Sequence, residues 1–111
     1  MNLRQRSVRQ DEFNVHRADA RIPMEIPVLL DGHKRVPGTE STFTENVSAR
    51  GARVVSVRRW EMDERLTFVS RTGEFRSSAR VTYCQPMQGD GFAIGLEFLE
   101  PKGRWVVQSP R

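Results

Sequence analysis

Arginines at positions 17 and 21, and a short polar segment, Asn46-Val-Ser48-Ala-Arg50-Gly51, are the residues of this chain whose types and spacing could do chemistry. The guanidinium is a planar fork of N–H donors that matches phosphate oxygens and the O6/N7 edge of guanine, which lysine's point charge does not. Residues i and i+4 lie on one side of the backbone, roughly 13 Å apart if the segment is extended and about 6 Å apart on a helical turn. Both forks can therefore face one ligand in either geometry. The second segment brings a side-chain amide, a hydroxyl and an uncrowded glycine backbone toward one flat ligand edge. Such a set suits an anionic molecule that contains guanine. Each half also has a plainer reading alone: the arginines as solvated residues beside Asp19, and the turn as Asn and Ser bonding their own backbone.

The elements that must position these residues are short. Ile22 precedes Pro23 and is pushed toward extended backbone, so a turn carrying Arg17 to Arg21 must end there. Pro27–Leu30 reads as a strand closed by Asp31-Gly32. Ser41–Val47, with Phe43 as a core candidate, and Gly51–Val57 read as strands on either side of the Asn46–Gly51 connection. Leu66–Val69, Ala79–Cys84 and Phe92–Phe98 complete the set. The last is the clearest, since Phe92, Ile94, Leu96 and Phe98 share one face by the two-residue period. Val57 to Arg65 has room for one helical turn around Trp60 and Met62, too short to alter the fold class. Short strands separated by Gly, Pro and Asp turns, with no helical stripe, predict an all-β antiparallel barrel or sandwich.

The chain has 111 residues, enough for one domain with one core. Met1 to His16 is charged and polar and is expected to be a flexible basic arm ahead of a domain spanning 17–100, with 101–111 as a C-terminal tail. Lys and Arg number 18 against 14 Asp and Glu, a net charge of +4 that favours anionic partners. Cys84 is the only cysteine, which excludes an internal disulfide framework and a thiol-rich metal site. The N-terminus lacks the apolar stretch of a signal peptide, and nothing approaches a membrane span, so a cytoplasmic protein is expected.

Taken in order, with a strand after the arginines and strands around the turn, the two segments resemble the two-part signature of the PilZ domain, RxxxR followed by D/N-x-S-x-x-G. Gly91-Phe-Ala-Ile-Gly-Leu-Glu-Phe98 also resembles that family's last strand, so the resemblance runs from about Arg17 to Glu100. It implies a six-stranded antiparallel β-barrel that binds the bacterial second messenger cyclic di-GMP. Arg17 and Arg21 would contact phosphates and guanine, and Asn46, Ser48 and Gly51 would lie against a guanine, with Arg9 and Arg50 as further contacts. It implies no enzyme activity and no cofactor beyond that ligand, with occupancy passed to a protein effector by ordering of the arm. The family usually follows its barrel with a C-terminal helix. Here Pro101-Lys-Gly103 breaks the chain and only Arg104 to Arg111 remain.

Other chemistries find little support. His16 and His33 are far apart and without cysteine company, which argues against a metal site. Glu61, Asp63 and Glu64 read as a solvated loop, and the glycines at 89, 91 and 95 lack the spacing and the helix of a dinucleotide fingerprint. Two other functions fit a small basic barrel: binding of single-stranded nucleic acid, and protein contacts alone. The inward alternation of the best aromatics counts against the first. The intact two-part signature counts against the second.

Overall fold

The structure is a computed structural model and describes residues 20–108. The arm Met1 to His16, with Arg9, and Arg17 lie outside the described residues. Those described form eight strands and no helix: β1 Ile22–Pro23, β2 Pro27–Asp31, β3 Glu40–Ser48, β4 Gly51–Ser56, β5 Arg65–Ser70, β6 Phe75–Pro86, β7 Phe92–Phe98 and β8 Lys102–Gly103. All pairings are antiparallel. The order β3-β2-β5-β6-β7-β4 returns to β3, which pairs with β4 and closes a six-stranded barrel. β1 adds to the free side of β3 and β8 to β6.

Alternation along the strands fills the inside. Val28 and Leu30, Val54, Leu66 and Phe68, Ala79 and Val81, and Ile94 and Leu96 are all buried. Removing such surfaces from water contributes roughly 25 cal/mol per Å² of apolar area. One end is plugged by aromatic rings from three strands and the tail. The ring centres of Phe68 and Phe98 stand 5.0 Å apart, those of Phe98 and Trp105 5.1 Å, and those of Phe75 and Trp105 4.7 Å. At the far end of β4, Trp60 is buried and its indole N–H donates to Ser56 Oγ at 3.1 Å. Ser56 in turn donates to the buried Glu40 carboxylate at 2.8 Å, and Glu40 also accepts the Val57 N–H at 2.8 Å.

Several expectations change. Phe43 is not a core residue: it is 38% exposed. Thr44 takes the inward position, where its hydroxyl accepts the Ile26 N–H at 2.9 Å and donates to the Met24 carbonyl at 2.7 Å. Its neighbour must then face out. Strand β6 begins at Phe75, ahead of the expected Ala79. Its extra length includes an inward serine, Ser77, whose hydroxyl donates to the Ser78 carbonyl at 2.7 Å and accepts the Glu100 N–H at 3.2 Å. Val57 to Glu64 forms bends and a turn, not a helical turn, and Arg65 already opens β5. Within the tail Trp105 is buried and Val107 packs against the core, while Val106 faces solvent.

The tail residue Trp105 thus belongs to the core and also hydrogen-bonds to the barrel, its indole N–H donating to the Ser48 carbonyl at 2.8 Å. Trp105→Ala should cost about 3–5 kcal/mol of stability, since it leaves a cavity and an orphaned carbonyl. Chemical unfolding of the full chain checks this; a loss no larger than that of an exposed substitution would mean that the tail is dispensable.

Candidate functional site

The two sequence segments meet on the outside of the barrel. In the pairing of β1 with β3, Ile22 stands opposite Val47 and Pro23 opposite Asn46. That register carries Arg21 to the turn after β3, and its Nη1 donates to Asn46 Oδ1 at 3.2 Å. Asn46 faces out because of a β-bulge. Thr44 pairs with Val54 and Asn46 with Arg53, so Glu45 is an extra residue in β3. Glu45 and Asn46 consequently both project outward, toward Arg53 and Arg21, while Thr44 and Val47 remain inside.

The turn itself is held from within. Ser48 is buried, and its hydroxyl accepts the Arg50 N–H at 3.3 Å and lies 3.5 Å from the Gly51 carbonyl. The Arg50 carbonyl accepts the Phe98 N–H at 2.8 Å, and the Ser48 carbonyl accepts the Trp105 indole. Gly51 has a packing reason of its own. A Cβ there would collide with the Leu96 carbonyl oxygen of β7. Of the expected contacts, Arg21 and Asn46 thus present polar groups at the surface, Ser48 shapes the turn, Gly51 lets β4 approach β7, and Arg50 is exposed at the turn's tip. Arg17 and Arg9 lie outside the described residues.

An open cleft of about 270 Å³ runs past this turn, lined by Arg21, Ser48, Arg50 and Gly51 and, from β6 and β7, by Arg80, Thr82, Leu96 and Glu97. The last four were not among the sequence candidates. Their place depends on register: Gly51 pairs with Glu97, and Glu97 with Arg80, in one row across three strands. No spacing along the chain announces such a row. Three arginines against one glutamate make the cleft cationic. Arg80 is engaged on both sides, its Nε and Nη2 donating to Glu97 Oε1 at 3.1 and 2.8 Å and its Nη1 to Asp63 Oδ1 at 2.6 Å. Glu97 first, then Asp63, hold its pKa above arginine's ordinary value.

A second row lies beside the first. Arg53 pairs with Gly95, and Gly95 with Tyr83. A Cβ at Gly95 would run into the Tyr83 ring, which rests over that glycine and brings its hydroxyl within 3.1 Å of Arg53 Nη1. Glu45 first, then Tyr83, raise the Arg53 pKa. Among the described residues no group of three His, Cys, Asp or Glu side chains is placed to hold a metal ion.

Because Gly51 is enclosed by β7, Gly51→Ala should cost about 1–3 kcal/mol of stability in the ligand-free protein, the range for overpacking. Thermal unfolding checks this, and an unchanged midpoint would return Gly51 to a purely ligand-facing role.

None of the curated proteins matches the chain. The family model described as the PilZ domain matches residues 15–104, from just ahead of the arginine segment through β8. With its closed six-stranded antiparallel barrel and with that match over most of its length, the chain belongs to the PilZ domain family.

Proposed function

We propose that this chain is a non-enzymatic receptor for cyclic di-GMP in the bacterial cytoplasm, and that its cleft beside the Asn46–Gly51 turn is the ligand site. The observation that carries the reading is the Arg21–Asn46 hydrogen bond, which unites the two halves of the signature at one place on the barrel. Arg21 offers a fork to a phosphate, and Arg50 stands across the turn from it. The Asn46 amide, once Arg21 turns to the ligand, has donors and an acceptor for a base edge. The fixed turn keeps these groups in place before the ligand arrives, so little ordering cost falls on that side of the site. Membership of the PilZ family supports the same ligand.

Arg17 and Arg9 complete the proposed site from the arm. Residues 1–16 then act as the moving part, 17–100 as the barrel and 101–111 as its tail, with the ordered arm presented to a protein effector. The composition of the arm supports this, since its mostly polar residues bury too little apolar surface to offset the entropy of ordering.

Calorimetry should give micromolar or tighter affinity for cyclic di-GMP, about −8 kcal/mol or better, with linear guanine nucleotides much weaker. Arg21→Ala should weaken binding by about ten- to a hundredfold at unchanged thermal stability, because a charged hydrogen bond contributes roughly 1.5–3 kcal/mol. Equal affinity for GTP, or none for cyclic di-GMP, would sink the assignment.

Hydrogen exchange tests the arm separately. Amides between Gln10 and Ala20 should slow when cyclic di-GMP is added, while those near Val54 and Ile94 stay protected throughout. An arm indifferent to saturating ligand would move the signal elsewhere on the barrel.

A further inference from the structure

Resting on the receptor reading above, we propose that Arg80 is a further ligand-contacting residue, and that the ligand takes it from Asp63, so that site occupancy is passed to the loop Val57 to Glu64. Arg80 both lines the cationic cleft and bonds to that loop. Its guanidinium gives two N–H groups, Nε and Nη2, to one oxygen of Glu97 but only Nη1 to Asp63, so the Asp63 side is the one that a phosphate can take. The Asp63 carboxylate is also well exposed, with 68% of its side chain open to solvent. Exposed ion pairs of this kind are the weakest class. A phosphate in the cleft displaces Asp63, while Glu97 keeps Arg80 oriented.

The loop is built to respond. Asp63 sits at φ 72°, a left-handed conformation uncommon outside glycine, and its carboxylate contact with Arg80 helps to hold it there. The backbone around Asp63 is tied at a small set of points: Asp63 N–H to the Val81 carbonyl at 2.8 Å, Val81 N–H to the Glu64 carbonyl at 2.9 Å, Glu64 N–H to the Glu61 carbonyl at 3.1 Å and Glu61 N–H to Glu64 Oε1 at 2.6 Å, while His33 and Glu40 fasten the loop farther back at Arg59 and Val57. Just before Asp63, Met62 is 66% exposed. The same loop walls a second, more apolar cleft of about 560 Å³, where Trp60 and Met62 face Tyr83, Cys84 and Phe92. Release of Asp63 loosens that wall. Ligand in one cleft thereby changes the shape of the other.

The test uses the full chain with cyclic di-GMP as the probe. Asp63→Asn suits the left-handed backbone and removes the charge; Asp63→Gly, at ease at that φ, serves as the second variant should the first fold poorly. In the wild type, ligand should speed exchange of the Asp63 and Val81 amides by roughly tenfold, as local opening replaces a fastened turn. In the variants those amides should be fast already and indifferent to ligand, and affinity should improve by about two- to fivefold, the reach of an exposed ion pair that no longer competes. Wild-type binding with unchanged exchange at Asp63 and Val81, or variants that bind no tighter, would overturn the coupling and leave the receptor reading standing. A wild type that gives no heat with cyclic di-GMP overturns both.

Discussion

Strand β4 has to pair on both edges, with β3 on one side and β7 on the other, and everything else in the molecule depends on that closure. The seam begins at Gly51, where β4 and β7 come so near that the Leu96 carbonyl oxygen occupies the space of a side chain. A barrel closed in this way hides its hydrogen-bonding edges, apart from the short β1 and β8 that lie on its flanks. It also creates two mouths that need covering. Trp105 with Phe68, Phe75 and Phe98 fills one, and Trp60 with its Ser56 and Glu40 partners fills the other.

The proposed ligand site lies on the outer side of that seam, and this explains its division of labour. Ser48 and Gly51 belong to the frame, bonded or packed inward, whereas Arg21, Asn46 and Arg50 stand on it as exchangeable polar groups. A rigid barrel that lends its turns and outer face to recognition places function where strand geometry is already fixed. The same logic applies to Arg80, which stands on β6 in register with Glu97 and Gly51. It joins the cleft to a loop that shares no sequence segment with it.

Much of this was legible in the sequence, for a physical reason in each case. Strand β7 is two-sided enough that Ile94, Leu96 and Phe98 announce its inner face, and Phe92–Phe98 is the span observed. The barrel follows from strands and turns, and the family from two motifs. What stayed hidden depended on pairing. A polar residue bonded to backbone can take an inward position, as Thr44 and Ser77 do, so hydrophobicity placed Phe43 inside and began β6 too late. The cleft residues Arg80, Thr82 and Glu97 become neighbours of Gly51 only through register. The hydrogen bond of Trp105 to Ser48 spans 57 positions and has no local signature.

The second bulge carries a consequence for how this surface can change. Between Val81 and Tyr83 strand β6 holds one more residue than β7, and that residue is Thr82. Val81 faces the core, and Tyr83, two positions on, rests on the outer face over Gly95, while Cys84 turns back toward the core. Loss of Thr82 would restore plain alternation, with Val81 in, Tyr83 out and Cys84 in, and would leave every later pair with β7 in place. Tyr83 would keep its seat over Gly95, and Cys84 its place against the core. What the bulge adds is one outward side chain on the cleft wall, so at position 82 this surface can gain or lose a group while the core and the pairing on either side keep their places.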